Sequence, residues 1–158
     1  FQAQDGIRDS VASRGLGDVY KRQMLIGQVH RLSTKKFVQN SHDSGLDISM
    51  DQWIVLGPIW ENEGLSHKEI SEYCLKDKTS VTKIIDTLEK KNLVVRVSDQ
   101  LDHRVKRVVL SNKGKELFLQ AIPIMELTRD QLREGITEQD IESLRSVLTK
   151  IYNNLVSN

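Results

Sequence analysis

The segment Asp77-Lys-Thr-Ser-Val-Thr-Lys83 packs short hydroxyl side chains and lysines into two helical turns. Read as the start of a helix, it exposes Lys78, Thr79, Ser80, Thr82 and Lys83, while Val81, Ile84, Ile85 and Leu88 fall on the buried side. Such an end suits the major groove of DNA. Short hydroxyls approach base edges and the thymine methyl, and lysine reaches guanine or phosphate. The same hydroxyls also serve as ordinary helix caps, so alone they say little. A second group follows in the polar connector Ser98 to Arg104, where Asp102 and Arg104 lie two apart on an extended edge and share a face. The carboxylate can orient a guanidinium for the narrow, electronegative minor groove. Lys106 and Arg107, just beyond, are placed for phosphate. An isolated Asp-x-Arg is more often a surface ion pair worth roughly 0 to 1 kcal/mol.

Enzymatic chemistry finds no comparable support. His30, His42, His67 and His103 are scattered, and no HExxH, GxSxG, P-loop or GxGxxG spacing occurs. The His42, Asp43 and Asp47 loop reads as a polar lead-in to a capped helix rather than a metal site, so no metal, cofactor or catalytic residue is expected. Cys74 is the single cysteine, which excludes an intramolecular disulfide and a CxxC site and points to a cytoplasmic protein.

At 158 residues, 38% hydrophobic and 28% charged, the chain is long enough for one core and too apolar for disorder. It lacks the uncharged apolar run of about eighteen residues that a membrane span needs. Net charge is +1, yet Gly64 to Lys115 holds 12 basic against 7 acidic residues between acidic flanks. A basic middle in a neutral chain is the footprint of a polyanion-binding module.

The elements that position these groups follow from periodicity and caps. From Met24 the chain turns helical, with Leu25, Val29 and Leu32 on one face and Ile26 and Phe37 adding to it. Ser41 to Asp47 is a polar loop. Ser49-Met-Asp-Gln52 has capping-box spacing and opens a helix through Trp53, Leu56, Ile59 and Trp60 to Gly64, kinked at Pro58. Ser66-His-Lys-Glu69 is a second box, opening a short helix with Ile70, Tyr73 and Cys74 inward. Asp77 caps the next helix, and Asn92 stands where left-handed backbone ends it. Leu93 to Val97 and Val105 to Leu110 are β-rich runs flanking the polar connector as a hairpin. Ser111 opens a long helix through Leu117, Phe118, Ile122, Met125 and Leu132, kinked at Pro123, and Thr137 starts the last.

Two helices followed by a hairpin make a winged helix-turn-helix. The expected fold is therefore mainly α with a small β-hairpin wing, joined to a helical dimerisation region. Ile141, Leu144, Leu148, Ile151 and Leu155 form a narrow heptad seam, the expected dimer interface. Residues 1–23 show neither periodicity nor a signal-peptide apolar run. Val11 to Gln23 reads like translated adapter sequence, so 1–23 is expected to be a non-native or disordered leader; the alternative is a natural flexible arm with Arg8, Arg14, Lys21 and Arg22 touching nucleic acid.

Taken together, Leu46 to Leu56, Thr79 to Val94 and Asp102 to Gly114 give Met24 to Asn158 a specific pattern. It resembles the MarR (multiple antibiotic resistance) family of transcriptional regulators. The resemblance implies one domain over 24–158, with dimerisation helices at 24–45 and 115–158 and the winged lobe at about 49–112. It further implies a homodimer that reads a pseudo-palindromic duplex operator, with recognition helices in successive major grooves and wing arginines in the flanking minor grooves. Repression released by a small ligand is the expected mode. Asp102 and Arg104 become the family's wing pair. Asn92 replaces the usual glycine, and Leu101 stands where the family often has Arg, which removes one wing contact. Relatives often bind small aromatic ligands between the dimerisation helices and the DNA-binding lobe, which makes His30, Phe37, Trp53 and Trp60 a candidate effector pocket; core packing competes for the same residues. The alternative class is a winged-helix protein-interaction module that does not read DNA.

Overall fold

The computed structural model describes residues 11–62 and 64–157, without the side chains of 11–20, 22 and 23. In chain order the elements are α1 (Val11–Asp43), α2 (Met50–Glu61), β1 (Leu65–Ser66), α3 (His67–Cys74), α4 (Lys78–Lys90), β2 (Val94–Ser98), β3 (Lys106–Leu110), α5 (Asn112–Leu132) and α6 (Glu138–Val156). Five helices begin where a side chain caps them. Ser49, Ser66 and Thr137 form reciprocal capping boxes, and Asp77 and Ser111 accept from Ser80 and Gly114 N–H. Each cap satisfies a first-turn donor that the helix itself leaves open. Asn92 sits at φ 60, as its side chain tolerates.

Several expectations are corrected. The wing is three-stranded, in the order β1-β3-β2, with Leu65 opposite Val108 and Ser66 opposite Arg107. Two residues are too few to carry a period, and α2 stops at Glu61 rather than running to Gly64. There Asn62 donates to the Pro58 carbonyl from both its backbone and its side chain, and Gly64, at φ 80, turns the chain into β1. Helix α1 begins at Val11, upstream of the Met24 start that periodicity indicates, and residues 1–10, the rest of the expected leader, lie outside the described residues. Extending a nucleated helix needs no apolar stripe, and periodicity misses it for that reason. Tyr73 is exposed, because Ile70 and Cys74 share the inward face of α3 and Tyr73 is one residue round from it.

Helix α2 passes through Pro58, which has no N–H for the Ile54 carbonyl. The Cys74 thiol donates to that carbonyl at 3.5 Å and so ties α3 to α2. Burial pushes the thiol pKa up, which keeps it a protonated donor.

Val55, Leu56, Ile70, Val81, Ile85, Leu88, Leu93, Val94 and Val108 form the core of the winged lobe. An aromatic stack joins that lobe to the long helices. Phe118 of α5 lies between Trp53 and Trp60 at centroid distances of 4.6 and 4.8 Å, and Phe37 of α1 meets Trp53 at 6.2 Å. Asn40, buried on α1, donates to Thr128 and Gln131 of α5 and fixes the register of the two. By contrast Leu25, Val29 and Leu32 of α1 are exposed, and no α6 residue is buried.

Gly114, in the first turn of α5, lies against the end of the α4 turn. A Cβ there would stand 1.9 Å from the Leu93 carbonyl oxygen, whereas one at Gly57 would meet nothing within 4 Å. Gly114→Ala is expected to cost about 3 kcal/mol through backbone displacement. Gly57→Ala, inside α2, should be neutral or stabilising by up to about 1 kcal/mol. Urea midpoints of the two variants check the contrast.

Candidate nucleic-acid interface

The amino end of α4 is built by Asp77. Its carboxylate accepts the Ser80 N–H at 2.8 Å and the Ser80 hydroxyl at 2.6 Å, which together hold its pKa below the usual range, the hydroxyl first. Ser80 is thereby committed to the cap. Lys78, Thr79 and Lys83 are exposed, and Thr82 is half-buried with its hydroxyl donating to the Lys78 carbonyl at 2.8 Å.

The wing turns on Asp99, a residue the sequence did not single out. One carboxylate oxygen accepts the N–H groups of Leu101 and Asp102 at 2.8 and 2.9 Å, and the other pairs with Arg107 Nε. The Asp102 amide, then Arg107, then the Leu101 amide hold the Asp99 pKa down to about 2. Arg107 also donates to the Gly64 carbonyl at 2.7 Å and lies 3.6 Å from Glu69. Its guanidinium thus braces the wing base against the α2–β1 turn and α3 instead of projecting toward phosphate. Lys106 donates to Ser98 across the β2–β3 pair at 2.6 Å.

Asp102 and Arg104 lie in the turn, not on a strand edge, yet they do meet. Asp102 Oδ1 accepts the Arg104 N–H at 3.0 Å and stands 3.5 Å from Arg104 Nε. The Arg104 side chain is 96% exposed, so it projects from an internally braced loop.

Arg96 on β2 is the second group the sequence did not reveal. Its guanidinium pairs with Asp86 and Glu89 of α4 and donates from Nε to His67 Nε2 at 3.2 Å, while His67 Nδ1 meets Thr82 Oγ1 at 3.2 Å. Aspartate opening a polar turn was a readable signal for Asp99. Nothing local marks Arg96 or His67, whose partners are 7 to 29 residues away in sequence.

Three of the four effector candidates, Phe37, Trp53 and Trp60, join one aromatic stack around Phe118, and His30 is not part of it. His30 lines a cleft between α1 and α2; Trp60 lines another with Val109, Leu110 and Lys115; Phe37 is fully buried, and Trp53 stacks on Phe118 and meets Phe37 at a tilt. On the proposed dimer seam, Ile141 is half-buried, and Leu144, Leu148, Ile151 and Leu155 are exposed in the single chain.

A capped helix pair, a three-stranded wing with an outward arginine and long flanking helices make a winged helix-turn-helix fold. Residues 44–105 match the family model described as MarR family. The uncharacterized HTH-type transcriptional regulator YybA of Bacillus subtilis is 22% identical over 118 residues, covering 75% of this chain and 79% of that protein. A mutant MarR from E. coli complexed with operator DNA superposes with a TM-score of 0.78 at 23% identity, over 85% of this chain and 95% of that one. Bordetella bronchiseptica BpsR, solved in work on regulation of its DNA binding by 6-hydroxynicotinic acid, gives 0.76 at 18% identity, over 92% and 95%. Over residues 44–105 the chain is thus similar to the MarR family, and its fold is the one these solved structures share.

Asp99 yields a pH prediction. Its folded pKa is depressed from 3.8 to about 2, so its contribution is complete above 3.8 and is lost as pH falls toward 2. The amide resonances of Leu101 and Asp102 should move through that window in wild type and stay flat in Asp99→Asn. Equal movement in both would place the titration elsewhere.

Proposed function

We propose that the protein is a sequence-specific regulator of transcription that binds a pseudo-palindromic duplex operator as a homodimer and acts as a repressor released by a small aromatic ligand. The observation that carries the DNA reading is the pairing of an exposed hydroxyl and lysine surface at the start of α4 with a wing whose Arg104 faces outward. Lys78, Thr79, Thr82 and Lys83 face the major groove in this reading. Arg104, oriented by Asp102, enters the minor groove, and Lys106 lies near phosphate. Ser80 and Arg107 act by holding the reading elements in shape.

The apolar seam of α6 supports dimerisation, since an amphipathic helix without a covered face has little to stabilise it. For the ligand, the cleft between α1 and α2 encloses about 310 Å³ and is lined by His30, Arg31, Thr34, Met50, Ile54 and Lys76. Thr34 Oγ1 is buried there and has no hydrogen-bond partner among the described residues. Asp51 also lines the cleft and pairs with Lys76 at 2.8 Å, so Arg31 beside the apolar walls is the cation that suits an aromatic acid.

Selection from random duplex DNA should enrich an inverted repeat, with affinity falling by roughly 0.9 log units per neutralised phosphate for each decade of salt. Arg104→Ala should weaken binding to most sequences about tenfold, roughly 1.4 kcal/mol. Failure to enrich any duplex would favour a protein-interaction module. Leu148→Asp places a carboxylate in the proposed interface and should cost several kcal/mol of association, read as a monomer in sedimentation. An unchanged mass would exclude that seam.

A further inference from the structure

We propose that His67 and Arg96 set the base preference of α4 without touching DNA, by fixing the Thr82 hydroxyl as a hydrogen-bond acceptor. The inference rests on the DNA reading proposed above. Guanidinium groups only donate. Arg96 Nε–H reaches His67 Nε2 at 3.2 Å, so that nitrogen carries the lone pair and the imidazole proton is on Nδ1. Nδ1–H then donates to Thr82 Oγ1 at 3.2 Å, and the Thr82 proton goes to the Lys78 carbonyl at 2.8 Å. A hydroxyl has one proton and two lone pairs. Thr82 is left with one lone pair and no proton to offer.

The tautomer is held from outside. Asp86 and Glu89 clamp the terminal nitrogens of Arg96, which leaves Nε facing His67. Burial, then the charge of Arg96, lowers the imidazole pKa and keeps the ring neutral near neutral pH. Turning the Thr82 proton outward would set an oxygen lone pair against the Lys78 carbonyl. In a helix, threonine otherwise divides between two rotamers. Contact from His67 selects one of them.

At the major-groove edge adenine N6 and cytosine N4 donate, while guanine offers N7 and O6 and thymine offers O4 as acceptors. Thr82 held as an acceptor favours adenine or cytosine on the strand it faces and disfavours guanine or thymine. Without His67 the rotor is released, and Thr82 can donate to those acceptors as well.

The test is selection from random duplex DNA with the full chain as wild type, His67→Phe, His67→Gln, Thr82→Val and the His67→Phe/Thr82→Val double variant. Wild type should prefer adenine or cytosine about tenfold at one position per half-site. His67→Phe should reduce that to within about twofold, His67→Gln, which restores an amide donor, should recover it, and His67→Phe should change nothing further in the Thr82→Val background. Nitrogen-15 NMR of the unmodified protein should find the His67 proton on Nδ1, a readout that does not depend on any variant folding. A proton on Nε2, or identical preferences in wild type and His67→Phe, overturns the inference while leaving DNA reading intact. Enrichment of no duplex at all overturns both.

Discussion

The backbone of Lys91, Asn92 and Leu93 is where α4, the wing and α5 meet, and their relative orientation depends on it. Leu93 N–H closes α4 onto the Leu88 carbonyl at 2.9 Å, and the left-handed Asn92 reverses the chain. Helix ends leave carbonyls without partners. Here the start of α5 supplies them: Ser111 N–H reaches Leu93 at 3.0 Å, the Ser111 hydroxyl reaches Asn92 at 2.7 Å, and the Lys113 ammonium reaches Lys91 at 3.0 Å. Gly114 permits that approach because it has no side chain to obstruct it. The end of α4 and the start of α5 are therefore joined at three successive main-chain carbonyls, one bonded by a main-chain N–H and two by side chains. The same contacts fix the angle between α5 and α4.

Charge is divided by the same logic. The basic middle of the sequence suggests a uniform cationic face, but several of its cations are engaged within the protein. Lys76 pairs with Asp51 at 2.8 Å, Lys91 with Asp47 at 2.6 Å, Arg96 with Asp86 and Glu89, and Arg107 with Asp99. Exposed pairs of this kind add little stability. Arg96 and Arg107 differ because each bridges separate elements: one fixes β2 to α4 and α3, the other fixes β3 to the wing turn and the β1 corner. The outward cations Lys78, Lys83 and Arg104 can then be held at defined positions.

What could be read from the sequence was local. Ser49, Ser66, Asp77, Ser111 and Thr137 cap the helices they were expected to cap, because capping is decided within three or four residues. The hairpin and the left-handed Asn92 were legible for the same reason. What escaped was long-range or too short to repeat. β1 has two residues and exists only because β3 offers a free edge. The upstream part of α1 carries no apolar period. Arg107 looked like a phosphate ligand until the fold brought Gly64, 43 positions away, within reach of its guanidinium. Trp53 and Trp60 share a face as their spacing requires, but Phe118 fills the space between them. Candidate DNA-contact residues were thus identified by type and spacing, whereas the residues that orient them belong to contacts a linear pattern does not encode.

Helix α6 places the remaining constraint outside the single chain. It is capped by a full box at Thr137, but none of its 19 residues is buried, although Leu144, Leu148 and Ile151 line one side. Capping contributes on the order of 1 kcal/mol, too little to hold an isolated helix of this length in water. Each fully covered leucine or isoleucine would add about 1.5 to 3 kcal/mol. A few such residues exceed the capping contribution several times over, so the proposed partner surface, rather than the helix itself, is what would make α6 persistent. The exposed Leu25, Val29 and Leu32 of α1 present a similar unmet apolar face. Both faces belong to the long helices that α5 joins to α4, so the proposed association and the proposed spacing of two copies of α4 become one structural problem.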